Sequence, residues 1–182
     1  SNSVRSADTN AAKEMISLIE SVQKEGDSIG GQVSCVIEGL PVGLGEPAFD
    51  KLDAKLAHAM LSIGTVKGIA FGDGFDVITK KGSENNDSFG IEGDEIELKS
   101  NHSGGIVGGI STGEPVSFDL AIKPPSSISK NQETVTKDKQ ETQVQVTGRH
   151  DPCICPRVVP VVEAMAAITI LDLYLIHKSY CQ

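Results

Sequence analysis

Positive charge is scarce in this chain, arginine above all, and so are paired cysteines. Only 16 lysines and arginines stand against 25 aspartates and glutamates, a formal charge of −9, and just three of the cations are arginines: Arg5, Arg149 and Arg157. Affinity for a phosphate backbone or an acidic lipid surface comes from accumulated Lys and Arg. A general nucleic-acid or membrane binder is therefore excluded, and any anion site must be local. The four cysteines, Cys35, Cys153, Cys155 and Cys181, make no Cys-x-x-Cys pair and no framework spacing, which points to reduced thiols and a cytoplasmic setting. His150 beside Cys153 and Cys155 is poor zinc spacing, so no metal is expected. No Gly-x-Gly-x-x-Gly run opens a helix after a strand, and no Gly-Lys-Ser/Thr closes a glycine loop. No short repeat recurs, and no secretory or transit segment is expected.

Tryptophan is absent and aromatics make up 4% of the chain, whereas glycine is plentiful, with 19 residues gathered in clusters. Such clusters mark places where backbone turns tightly or approaches a ligand closely. At 182 residues the chain suits one domain, 1–182, with a core that needs no staples. The apolar stretch Val158 to Ile176 is nearly long enough to span a bilayer, but Glu163 and Asp172 within it would be costly in lipid. It reads as a helix buried on nearly all sides.

Asp8 or Thr9 caps a first helix that carries Met15, Leu18, Ile19 and Val22 on one face and ends at Gly26. A strand follows over 32–38, and a second helix begins at Asp50 or nearby, runs through Leu52, Leu56, Ala59 and Met60, and closes at Gly64. Segments 68–71 and 75–79 around Gly72-Asp73-Gly74 suggest a hairpin, and the acidic stretch 80–99 a mobile loop or weak hairpin. Val116, Phe118, Leu120 and Ile122 alternate as a half-buried strand, and Thr142, Val144 and Val146 do the same. Strands neighbour strands more than they alternate with helices. The expected class is α+β, an antiparallel sheet packed against buried helices.

Three runs carry chemistry. Gly104-Gly105, Gly108-Gly109 and Gly113 form the densest glycine cluster, able to aim backbone N–H groups at an anion or lie flat against a ring. Ser111 and Thr112 add hydroxyls, and Asn101 and His102 either bind a ligand or hold the turn. Lys123-Pro124-Pro125-Ser126-Ser127 joins a cation, two residues of fixed φ and two hydroxyls in a loop stiffened for binding. Gly148-Arg149-His150-Asp151-Pro152-Cys153 sets a permanently charged fork beside a carboxylate whose proton affinity its neighbours can tune.

These runs, SNHSGGIVGGISTGEP (100–115), KPPSSI (123–128) and GRHDPC (148–153), together with EGDSIGGQV, GLPVGLGEPAFDKLDAKLA and VVEAMAAITILD in the same order, resemble chorismate synthase. The resemblance implies a lyase of aromatic amino acid biosynthesis that eliminates phosphate from 5-enolpyruvylshikimate 3-phosphate with reduced FMN. It implies flavin contacts at Gly64, Thr65 and Gly108, at Lys123, Pro124, Pro125, Ser126 and Ser127, and at Arg149, which also meets substrate. It implies Asp151 as the catalytic carboxylate, helices sandwiched between antiparallel sheets, and a cytoplasmic homotetramer. Pro125 stands where the family usually has threonine, and Gly64-Thr65 where Asn-Ala is frequent. The chain matches only the C-terminal half of the family, so a fragment inactive alone is expected, with one helix face left exposed. An assembly or FMN-binding module without activity is the alternative, and an NADPH-dependent flavin reductase ranks last.

Overall fold

The computed structural model describes residues 2–93 and 95–180; Cys181, expected as a reduced thiol, lies outside them. Among the described residues four α-helices and nine strands follow one another as α1 (Thr9–Lys24), β1 (Gly31–Ile37), α2 (Leu52–Leu61), β2 (Val66–Phe71), α3 (Gly82–Asn85), β3 (Phe89–Glu92), β4 (Glu95–Leu98), β5 (Ile106–Val107), β6 (Ile110–Ser111), β7 (Val116–Ile122), β8 (Gln132–Val135), β9 (Glu141–Val144) and α4 (Cys155–Tyr180). The chain divides into two compact units, Ser1–Gln32 with Ile122–Val159 and Val33–Ala121 with Pro160–Gln182.

In the second unit β7 is the middle strand of a sheet ordered β1-β7-β2. The pairing runs antiparallel: Gly68 faces Ala121, while four residues on, the Gly72 N–H reaches back to the Ser117 carbonyl at 3.1 Å. Alternation along β7 buries Val116, Phe118, Leu120 and Ile122, as the period of two dictates. Leu52, Leu56 and Met60 recur every four residues and present one fully buried stripe of α2, which packs on β2. Full burial of each such side chain contributes about 1.5–3 kcal/mol. Phe71 meets Phe118 with ring centroids 5.6 Å apart.

Three expectations are corrected. Residues 74–79 form a 3-10 helix, Gly74–Thr79, not the second arm of a hairpin. Gly72 and Gly74 both adopt positive φ, and the turn is pinned where the Gly72 and Asp73 N–H groups donate to the Ser117 and His102 carbonyls, so the chain coils away with Phe75 and Ile78 exposed. The strand expected around 142–146 is β9, paired antiparallel with β8; it is exposed along its length rather than half-buried. Helix α4 is buried along one face only: Val158, Val162, Ala166 and Leu173 are covered, while Val161, Ile168, Leu171 and Leu175 are 43–65% exposed.

The 80–99 segment holds the short α3 and an antiparallel hairpin, β3 with β4. In the first unit, α1 begins where Asp8 Oδ1 accepts the N–H groups of Asn10 and Ala11 at 2.7 and 3.0 Å. Of its expected apolar face, Met15 and Leu18 remain about half exposed.

Candidate active site

The glycine cluster divides sharply by what each residue touches. A Cβ on Gly104 would stand 2.4 Å from Gly72 N, and on Gly105 2.6 Å from the Pro115 carbonyl oxygen. Gly109, whose carbonyl receives the Leu52 N–H at 2.8 Å, would collide with Lys51, and Gly113 would press on Val42 at 3.0 Å. These four glycines serve close packing of the chain against itself. Gly108 differs. It shares with Gly109 the two-residue turn between β5 and β6, with φ of 62° and 89°, values that suit glycine, and it has nothing within 4 Å of where a Cβ would stand. Its backbone is open to a flat ligand.

Gly64, beyond the end of α2, is equally open. Gly109 caps the start of α2 and Gly64 follows its end, so the two open backbone stretches are separated by a ten-residue helix, about 15 Å of axis. Thr65 Oγ1, next to Gly64, is buried and meets no partner among the described residues. Such a hydroxyl costs about 1–3 kcal/mol if nothing takes it up.

The hydroxyls and amides singled out around the cluster are occupied. Ser111, 2% exposed, donates from Oγ to the Pro41 carbonyl at 2.6 Å and accepts the Leu44 N–H at 2.8 Å. Thr112 Oγ1 donates to the Gly105 carbonyl. Asn101 bonds Pro115 O and Gly105 N, so it holds the turn. His102 Nδ1 pairs at 2.6 Å with Asp73, which also binds Lys80. Asp87 accepts from Ser100 Oγ and from the N–H groups of His102 and Ser103. Burial raises its pKa, but those donors together hold it well below the usual carboxylate value.

The remaining candidates belong to the first unit. Lys123 is half-buried, and Ser126 and Ser127 are exposed. No described carboxylate pairs with Lys123 or Arg149, and no described residue engages the two serine hydroxyls. Pro124 and Pro125 lie between them, and the Pro125 carbonyl accepts Ser28 Oγ at 2.5 Å. Gly148, at φ +130°, has open space where a Cβ would be. Arg149 beside it is exposed, and His150 Nε2 bonds the Val146 carbonyl at 3.1 Å.

Asp151 is held by a residue to which the sequence reading gave no role. Arg157 Nη2, from the first turn of α4, donates to Asp151 Oδ1 at 3.1 Å, leaving Oδ2 without a described partner. The available signal was that two of only three arginines flank this run. The pair is well exposed, at 62% and 37%, so it contributes little to stability. Cys153 and Cys155, free thiols two residues apart, share a hydrogen bond. That bond, with the Cys155 N–H, outweighs burial and lowers the Cys153 thiol to about 6, while Cys155 is held far up.

Residues 1–175 match the sequence profile of the chorismate synthase family. The chain belongs to the chorismate synthase family. It is 53% identical over 178 residues to a chorismate synthase of Phocaeicola vulgatus, covering 98% of this chain and 50% of that protein. It is 48% identical over its full length to chorismate synthase 1, chloroplastic, of Solanum lycopersicum, covering 41% of that protein. A crystal structure of chorismate synthase superposes with a TM-score of 0.72 at 28% identity, over 91% of this chain and 43% of that one. The chain thus spans about half the length of the curated relatives it matches, and the α+β class with antiparallel sheets agrees with the solved neighbour.

Proposed function

We propose that this chain supplies one half of a chorismate synthase, a lyase of aromatic amino acid biosynthesis, and contributes its reduced-FMN site and its catalytic carboxylate. The reaction removes phosphate and a proton from 5-enolpyruvylshikimate 3-phosphate to give chorismate, without net oxidation or reduction. The observation that carries the site reading is Gly108: of five glycines in the cluster it alone faces open space. The groups present fit FMN. Gly64 and Gly108 offer open backbone, Thr65 Oγ1 is a buried hydroxyl still lacking a partner, and Lys123, Ser126, Ser127 and Arg149 carry the charge and donors that a phosphate and ribityl chain require.

Reduced FMN, when bound, supplies electron density that eases departure of the phosphate, and it is recovered unchanged. The protein's part is positional and electrostatic. Lys123 and Arg149 balance anionic charge, and Pro124 and Pro125 keep the loop stiff so that little entropy is lost on binding. Arg157 fixes one oxygen of Asp151, and the other, Oδ2, accepts the substrate proton. With Arg157 on Asp151 and Arg149 shared with FMN, the arginines here cannot also match a phosphate and two carboxylates with bidentate forks, so most substrate groups come from the half not in this chain. The complete enzyme is then a homo-oligomer, a tetramer in this reading.

Titration with FMN, followed by quenching of flavin fluorescence, tests the site. Quenching is expected, with Lys123→Ala and Arg149→Ala each weakening affinity about tenfold or more. No quenching by the folded chain would contradict the reading and leave an assembly module.

A further inference from the structure

We propose that residues 26–31, the turn after α1 together with the first residue of β1, act as the spacer that sets the KPPSS loop and the Asp151 turn at their working separation, with Ser28 as its positioning residue. The inference rests on the site reading above.

The loop needs an external brace. Pro124 and Pro125 have no backbone N–H, so this stretch cannot tie itself down with turn hydrogen bonds. The direct chain path from the loop to Asp151 runs through the β8–β9 ribbon, exposed on both strands, and an isolated two-stranded ribbon is too weak to fix a distance. Gln145, which donates to the Ser129 carbonyl at 2.6 Å, closes only its base.

Residues 26–31 supply what is missing, in six consecutive positions. The Gly26 carbonyl accepts the Ser129 N–H at 2.9 Å, and Asp27 pairs with Lys130 at 2.7 Å. Ser28, its own N–H held by Asp27 Oδ1 at 2.8 Å, donates from Oγ to the Pro125 carbonyl at 2.5 Å across 97 residues of sequence. Gly30 lies so close to the loop that a Cβ would meet the Ile122 carbonyl oxygen at 2.2 Å and Pro124 at 3.0 Å. The other side of the same segment faces the Asp151 turn: the Ile29 N–H donates to the Pro152 carbonyl at 2.7 Å, and Gly31 abuts Cys155 Sγ. Ser28 holds the loop and the next residue holds the turn, so one peptide unit links the two. No residue of the segment has to touch a ligand for the spacing to matter.

The test compares the wild-type chain with Ser28→Ala, Ser28→Thr and Lys130→Gln. It reads FMN affinity by fluorescence, thermal midpoint, and amide exchange over 126–130 and 150–155. The spacer predicts that Ser28→Ala weakens FMN about three- to tenfold with a nearly unchanged midpoint, and speeds exchange in both segments. Ser28→Thr restores the hydroxyl and both readouts, while Lys130→Gln, at the exposed end, speeds exchange over 126–130 without threatening the fold. If the wild type binds no FMN yet exchange still rises in both segments of Ser28→Ala, the spacer stands and the flavin site falls. Wild-type affinity and exchange in Ser28→Ala would overturn the spacer.

Discussion

Asp151 and its neighbours show what one side chain's surroundings decide. The carboxylate was legible in the sequence from its motif, but Arg157 was not, because six residues of separation give no contact until α4 starts and turns the guanidinium back. The thiols behave likewise: spacing alone argued only against a zinc site, whereas their shared hydrogen bond lowers Cys153 to about 6. Cys35 is moved the other way, raised by burial and then by the Glu163 charge. Above pH 6 Cys153 is increasingly thiolate, the reactive form. Alkylation at pH 7 is thus expected at Cys153 well before Cys35, with a rate that falls as pH drops through about 6; peptide mapping by mass spectrometry checks this, and equal labelling would refute it. Ser111 makes a second residue-scale prediction. Removing its buried hydroxyl leaves the Leu44 N–H and the Pro41 carbonyl unpaired, so Ser111→Ala should cost roughly 1–3 kcal/mol in urea unfolding.

At the scale of elements, local signals served best where the element satisfies itself. The Asp8 cap, the Leu52-Leu56-Met60 stripe and the β7 alternation were all readable because period and capping act within a few residues. The 74–79 helix was not, since the turn before it is held by carbonyls distant in sequence, those of His102 and Ser117. The glycine cluster was legible as a cluster, but only the packing separates Gly104 from Gly108. Gly104→Ala should disrupt the turn against Gly72 and lower the thermal midpoint by many degrees. Gly108→Ala pays only the strain of positive φ, about 1 kcal/mol, yet should impair FMN binding. The acidic 80–99 segment is tied down by Asp87. Its folded pKa lies below its ordinary value, so its contribution is present above about pH 4 and lost as pH falls below that. Asp87→Asn sets an amide donor against a backbone N–H and should cost about 1–3 kcal/mol at pH 7 but progressively less in acid, as pH-dependent melts would show.

The whole molecule explains the one broad misreading. Val158 to Ile176 has the composition of a helix enclosed on all sides, and by length and apolarity α4 would suit a membrane. Composition records the finished protein, however, and this chain spans about half the length of its relatives, so its outer face has nothing here to cover it. The chain alone should therefore self-associate through Ile168, Leu171 and Leu175, and sedimentation should show Leu171→Glu shifting it toward monomer.

Chorismate formation from 5-enolpyruvylshikimate 3-phosphate with reduced FMN, measured for this chain alone and then co-folded with the complementary half of the Phocaeicola vulgatus relative, tests most directly whether the chain is half of a lyase. Half of an enzyme gives no turnover alone, turnover with the second polypeptide, and none once Asp151→Asn is introduced. Robust turnover by the chain alone, or unaltered turnover with Asp151→Asn, would contradict that reading.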